Sequence, residues 1–171
     1  KEEFSHLVPR IVGPHPQPVT VAQCKAMGHA LATLHLALKK YPLKRLNAHG
    51  QKWWQTEAKK ARAKMTAIEQ LLLDTVLDDF EETIEDFDDL PKGLIHGDLF
   101  RDNTLFDGDK LTAILDFSEA GKDYWLLDIA ITVNDFCSDW PNVSLNTDLY
   151  HAFLAAYQQV RPLTDDEQEV L

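Results

Sequence analysis

The chain is poor in glycine, cysteine and basic residues, and each shortage removes a class of function. Seven glycines are scattered through it with no Gly-rich loop, so it carries no loop of the kind that cradles nucleotide phosphates. Two cysteines, Cys24 and Cys137, are too few for a disulfide framework and match no metal-binding spacing. Seventeen basic residues stand against 28 acidic ones, a formal net charge of −11. That field repels a phosphate backbone and argues against nucleic acid, while a small cationic or zwitterionic substrate is tolerated. No apolar run is long enough to span a bilayer, and no signal-peptide pattern opens the chain. The expectation is a protein of the reducing cytoplasm with no membrane partner. There are no internal repeats and no low-complexity segment.

What is present is ordinary globular usage, 44% hydrophobic and 26% charged over 171 residues, enough for one core. Residues 1 to 19 hold Pro9, Pro14, Pro16 and Pro18 and read as an irregular lead-in. Thr20 and Gln23 form a capping-box pattern before Ala26, Met27, Ala30, Leu31, Leu34 and Leu38, which predicts an amphipathic helix over 21–40 ended by Pro42. A second helix is expected from Gln51 through Trp53, Trp54, Ala58, Ala61, Met65, Ile68 and Leu72, and a shorter third over 74–86. After Pro91-Lys92-Gly93 the apolar runs become short and β-like: Leu94-Ile95, Thr104 to Phe106, and Leu111 to Leu115, with Asp107-Gly108-Asp109 as a hairpin turn. A loop over 118–123 leads to a helix near Trp125 to Phe136, broken by Pro141 and Asn142. Helices over 147–159 and from Thr164 complete a fold that is α+β and mostly helical, around a small β-hairpin that carries acidic residues.

The chemistry concentrates in Leu94-Ile95-His96-Gly97-Asp98-Leu99-Phe100-Arg101-Asp102-Asn103 and in Ala113-Ile114-Leu115-Asp116-Phe117. Asp98 lies five residues before Asn103 and eighteen before Asp116. Such an arrangement can gather a proton acceptor and two hard oxygen ligands around one point, as magnesium on a nucleotide phosphate requires. Taken singly, Asp98 and Asn103 are ordinary turn residues; together with Asp116 they point to phosphoryl transfer. Arg101 reads equally as a contact to the γ-phosphate or a substrate carboxylate and as a solvated loop arginine. His96 reads as a prop for the loop, His35 as a packed or singly hydrogen-bonded helix residue, and Trp53 and Trp54 as packing for the second helix. The acidic run from Asp74 to Asp89 reads as a solvated face. Lys122 and Asp123, in the loop after Asp116, mark a place where an acceptor could dock.

His96-Gly97-Asp98 with Asn103, Ile114-Leu115-Asp116-Phe117 and Asp128-Ile129-Ala130 resemble the small-molecule kinases of the aminoglycoside phosphotransferase and choline kinase superfamily. Leu31 to Ala37, Tyr41-Pro42-Leu43, Gly50 to Trp54 and Asp98 to Asp109 resemble its bacterial homoserine kinase branch. That branch often has Ala where Gly97 stands and Pro where Arg101 stands. The resemblance implies the C-terminal lobe of a protein-kinase-like fold, with ATP and Mg²⁺ as cofactors. It implies Asp98 as catalytic base, Asn103 and Asp116 as metal ligands, Leu105 beneath the adenine, and Asp128 as a brace for the catalytic loop. It further implies phosphorylation of L-homoserine, a step toward threonine. The N-terminal nucleotide lobe, with its phosphate-covering loop and lysine, is expected to lie outside residues 1–171, leaving the isolated chain inactive. A kinase for an aminoglycoside, choline or other amino alcohol, a pseudokinase-like binding module and a cation-binding structural protein are the competing expectations.

Overall fold

The computed structural model describes residues 9–87, 89–139 and 142–171, so the first eight residues of the expected lead-in, Asp88 of the acidic run, and Pro141 lie outside the description. Helix α1 spans Val21–Leu38 and opens on the expected capping box. The Thr20 hydroxyl accepts from the Gln23 amide at 3.1 Å, and the Gln23 side chain accepts from the Thr20 amide at 3.0 Å. Cys24, Met27, Leu31 and His35 recur at helical spacing and are buried against α5, Thr147–Val160. The two helices approach so closely that a Cβ on Gly28 would lie 2.2 Å from the Phe153 carbonyl oxygen. Glycine is required there by contact, not by backbone dihedral.

The expected long second helix is two helices. α2 is Gln51–Ala61, a short 3₁₀ turn follows at Arg62–Lys64, and α3 is Ala67–Asp86. Met65 is extended, and Thr66 starts the new helix with a second capping box to Glu69. Local capping at Thr66 overrides the apolar period that runs through Met65 and Ile68. α3 therefore absorbs the separate helix expected over 74–86.

The strands are short and antiparallel. β1, Lys92–Ile95, pairs with β4, Gly121–Tyr124, in the register Lys92 to Tyr124 and Ile95 to Gly121. β2, Thr104–Asp107, pairs with β3, Lys110–Ile114, across the two-residue turn Gly108-Asp109. The 118–123 segment, expected as loop, is thus partly strand. The Lys122 amide also donates to the Arg45 carbonyl, and the Asn47 amide to the Lys122 carbonyl. α4, Trp125–Phe136, follows at once. The helix ends at Phe136, before the expected breakers Pro141 and Asn142, and a small hairpin, β5 (Ser138–Asp139) with β6 (Ser144–Leu145), lies in the connection to α5. α6, Asp165–Val170, starts at Thr164 as expected.

One apolar cluster joins α1, α4 and α5 to the strands, with Met27, Leu31, Ile129, Phe136 and Phe153 at its centre. Leu99 and Phe106 belong to it as well, so the Asp98-to-Asn103 segment is anchored in the core from within and through the strand that follows it.

Candidate active site

β1 ends at Ile95, and the chain turns out of the core through three residues. His96 is fully buried, Gly97 takes φ +79°, and Asp98 is half-buried. The left-handed backbone at Gly97 favours glycine, and an added Cβ would lie 3.3 Å from the Glu119 carbonyl oxygen. Asp128, from the first turn of α4 and fully buried, accepts both free amides of this bend: His96 N at 2.8 Å and Gly97 N at 2.9 Å.

His96 connects the two halves of the site. The Asp98 amide donates to its Nδ1 at 3.3 Å, so Nε2 carries the ring proton and donates to the Leu115 carbonyl at 2.8 Å. It is therefore a prop, as its sequence position suggested. The Asn103 amide nitrogen donates to the Asp98 carbonyl at 2.7 Å and to Asp98 Oδ2 at 3.0 Å. The Leu115 amide closes the circuit by donating to the Asn103 carbonyl at 2.8 Å. Asp98 and Asn103 are thus in direct contact, and the backbone immediately before Asp116 is bonded to both segments.

Asp116 is exposed and takes φ 55°, a left-handed conformation unusual for a residue with a side chain. Its Oδ1 accepts from the Ser118 amide at 3.1 Å, capping the turn Phe117–Glu119. Hydrogen bonds from Ser118, side chain and backbone, hold its carboxyl below the usual carboxylate range. The group is ionised at neutral pH.

Arg101 is not a free loop arginine. Its Nε and Nη2 donate to Asp135 at 3.1 and 3.0 Å, and its backbone amide donates to the same carboxylate at 2.6 Å. Held in this way, it lines a cleft of about 390 Å³ with His15, Pro16, Gln17, Phe100, Asp102 and Asp135. Asp135 is a site-region residue that sequence reasoning missed; it stands 34 positions from Arg101, and no local pattern links them.

Leu105 is buried on β2, while its neighbour Phe106 belongs to the main cluster and Leu105 does not. Alternation along the strand turns Leu105 the other way, toward Gly13. The lead-in is held along this strand: Phe106 N donates to the Pro14 carbonyl at 3.0 Å, and His15 Nδ1 to the Thr104 carbonyl at 2.9 Å. Lys122 and Asp123 belong to β4, and Asp123 Oδ2 accepts from the Asn47 side chain at 2.8 Å, so structure accounts for both. Trp54 packs edge-on against Phe80 at 4.8 Å, as expected of a packing residue, whereas Trp53 is exposed beside His49. Among the described residues no three His, Cys, Asp or Glu side chains are gathered as a metal cluster. No helix of these residues is long and apolar enough to cross a membrane.

A homoserine kinase from Polaromonas naphthalenivorans is 38% identical over 154 residues, covering 89% of this chain and 49% of that protein. A homoserine kinase from Methylobacillus flagellatus is 42% identical over 144 residues, 84% of this chain and 44% of the relative. The chain spans about half the length of the curated relatives it matches. Among solved structures, an aminoglycoside-3'-phosphotransferase of type VIII superposes with a TM-score of 0.64 at 18% identity, covering 92% of this chain and 60% of that one. Amicoumacin kinase hAmiN, in complex with AMP-PNP, Ca²⁺ and Ami, gives 0.61 at 20% identity, covering 90% of this chain and 47% of that one. These likenesses show the same mostly helical kinase-like fold. The phosphotransferase enzyme family matches residues 5–165, from the lead-in through α5 and past both halves of the Asp98–Asn103–Leu115 circuit, and the chain belongs to that family.

Proposed function

We propose that this chain is the C-terminal lobe of a cytoplasmic, ATP- and magnesium-dependent kinase that phosphorylates the hydroxyl of L-homoserine, giving O-phospho-L-homoserine on the way to threonine. The observation that carries the reading is the closed hydrogen-bond circuit linking Asp98, Asn103, His96 and Leu115, the residue immediately before Asp116. Asn103 occupies Asp98 Oδ2, which leaves Oδ1 to hold the acceptor hydroxyl and take its proton.

The same residues suit a hard cation. The Asn103 amide nitrogen faces Asp98, so its carbonyl oxygen is turned away from that residue, and Asp116 is an ionised carboxylate. One carboxylate and one amide make no closed cage, which suits magnesium, an ion that keeps waters and takes few protein oxygens. When bound with a nucleotide, magnesium neutralises charge on the β- and γ-phosphates. We assign Asn103 and Asp116 to hold it, Leu105 to lie beneath the adenine, and Arg101 to meet the acceptor from the cleft beside Asp135. A neighbouring N-terminal lobe would supply the phosphate-pairing lysine and exclude water; the half-length coverage of the relatives supports this division.

The homoserine kinase relatives at 38% and 42% identity support the acceptor. The second reading is a polycationic acceptor such as an aminoglycoside, favoured by the net charge of −11. A panel of homoserine, choline and aminoglycosides presented to the two-lobed protein separates the two. In that protein Asp98→Ala and Asp116→Ala are each expected to lower kcat by roughly 10²- to 10⁴-fold, with circular dichroism unchanged. A loss below tenfold for Asp98→Ala would remove its assignment as base.

A further inference from the structure

Behind the loop that carries Asp98 runs a buried chain of polar groups that phosphoryl transfer does not itself require. Glu167 on α6, Tyr157 on α5, His35 on α1 and Asp128 on α4 are fully buried, and Arg161, just after α5, is nearly so. Arg161 Nη2 donates to Glu167 Oε1 at 2.6 Å, and Arg161 Nη1 donates to the Tyr157 hydroxyl at 3.1 Å. The hydroxyl lies 2.7 Å from His35 Nδ1, and His35 Nε2 lies 3.0 Å from Asp128 Oδ2. Asp128 then holds the His96 and Gly97 amides.

Chemistry fixes the direction of every bond. Arginine donates only, so the Tyr157 oxygen accepts from Arg161 and must give its own proton elsewhere. Burial pushes the Tyr157 hydroxyl well above its ordinary pKa, so that proton stays on the oxygen. His35 Nδ1 is the acceptor it reaches, which places the His35 proton on Nε2, aimed at Asp128. The opposite tautomer would leave the tyrosine proton without a partner and set a ring lone pair against a carboxylate. His35 stacks on Trp125 at 5.4 Å and 7°, and the Arg161 guanidinium covers the same ring at 4.5 Å, so both members are locked in place. Glu167 itself is fixed twice, because its other oxygen accepts from the Thr164 amide at 2.9 Å in the α6 capping box.

We infer that Glu167, Arg161, Tyr157 and His35 form a positioning relay, its hydrogen bonds running one way from Arg161 to Asp128, through which α6 sets the orientation of Asp128 and hence of the bend that presents Asp98. These are positioning residues; none touches the reacting atoms. The kinetic consequence rests on Asp98 being the base, while the structural relay does not.

The test uses the full protein that carries this chain, with histidine ring nitrogens observed by NMR and amide exchange followed by residue. Tyr157→Phe removes one hydroxyl and little volume. The expected result is a changed Nδ1 signal for His35 and roughly tenfold faster exchange at the His96 and Gly97 amides, with β2–β3 amides unaffected. A similar fall in kcat with KM for ATP unchanged is expected in the same variant. Glu167→Gln, which keeps the shape of the outermost member, is expected to give a weaker version of both effects, and it replaces Tyr157→Phe if that variant does not fold. Unchanged histidine signals and unchanged loop exchange would overturn the relay. Altered exchange with unaltered kcat would uphold the relay and instead count against Asp98 as base.

Discussion

The block formed by α1, α4, α5 and the strands differs sharply from the pair α2 and α3. In the block, helices touch at van der Waals limits, and the buried His35, Asp128, Arg161 and Glu167 side chains are hydrogen-bonded, although the buried Trp125 Nε1 has no partner. α2 buries Ala58 alone, and α3, at 20 residues, buries none. The pair is joined internally by the Trp54–Phe80 contact and the Arg62–Asp74 ion pair, and it meets the core through Ile84 and Phe87 near the end of α3. Every candidate site residue is mounted on the block. The difference teaches where geometric precision is spent, since groups proposed to act in phosphoryl transfer need fixed positions and a surface helix pair does not.

Gly28→Ala breaks the comparison most severely if it is wrong. Alanine in a helix interior gains about 1 kcal/mol over glycine from propensity. Against that gain stands a Cβ placed 2.2 Å from a backbone oxygen, which neither rigid helix can relieve cheaply. Overpacking of this kind costs about 1–3 kcal/mol and sometimes more. An approach this close to backbone puts the cost at the upper end of that range, so the expected net result is a loss of about 2 kcal/mol, read as a lower urea midpoint at constant m-value. A stabilised variant would show that α1 and α5 separate freely and that the block is not the rigid mount described.

Trp54→Ala probes the other region. Loss of a partly buried ring and its edge-on partner is expected to cost about 1–2 kcal/mol. The expected pattern is local: faster amide exchange in α2 and in the turns of α3 around Phe80, with α1 and α5 still protected. Equal loss of protection across α1 would mean that the two regions unfold as one unit.

The same contrast explains what was legible in the sequence. Asp98 and Asn103 could be read because five residues and one tight bend bring them together, and Asp116 because it ends an apolar strand. Partners set by the tertiary fold could not be read. Asp135 meets Arg101 from 34 positions away, and the groups behind Asp128 come from three other helical segments. His35 looked like a packing residue with one hydrogen bond at most, and it makes two. β4 escaped because Gly121-Lys122-Asp123-Tyr124 is short and polar, and its strand character comes from pairing with β1. The break before α3 was written in Thr66 and Glu69 but lay under a continuous apolar period.

That apolar period also leads to the smallest expected effect. Ile68, Leu71, Leu72 and Val76 recur at helical spacing, the pattern of a core-facing stripe, and yet all four are exposed, Leu72 at 64%. Periodicity reports that a helix has an apolar side; it does not report that anything covers it. Leu72→Gln keeps the length and helix propensity of the side chain. With so much of the residue already in water, the expected change in stability is within about 0.5 kcal/mol by urea denaturation. A loss of about 2 kcal/mol would put Leu72 in a covered environment, and α3 would then have to be counted with the block instead of apart from it.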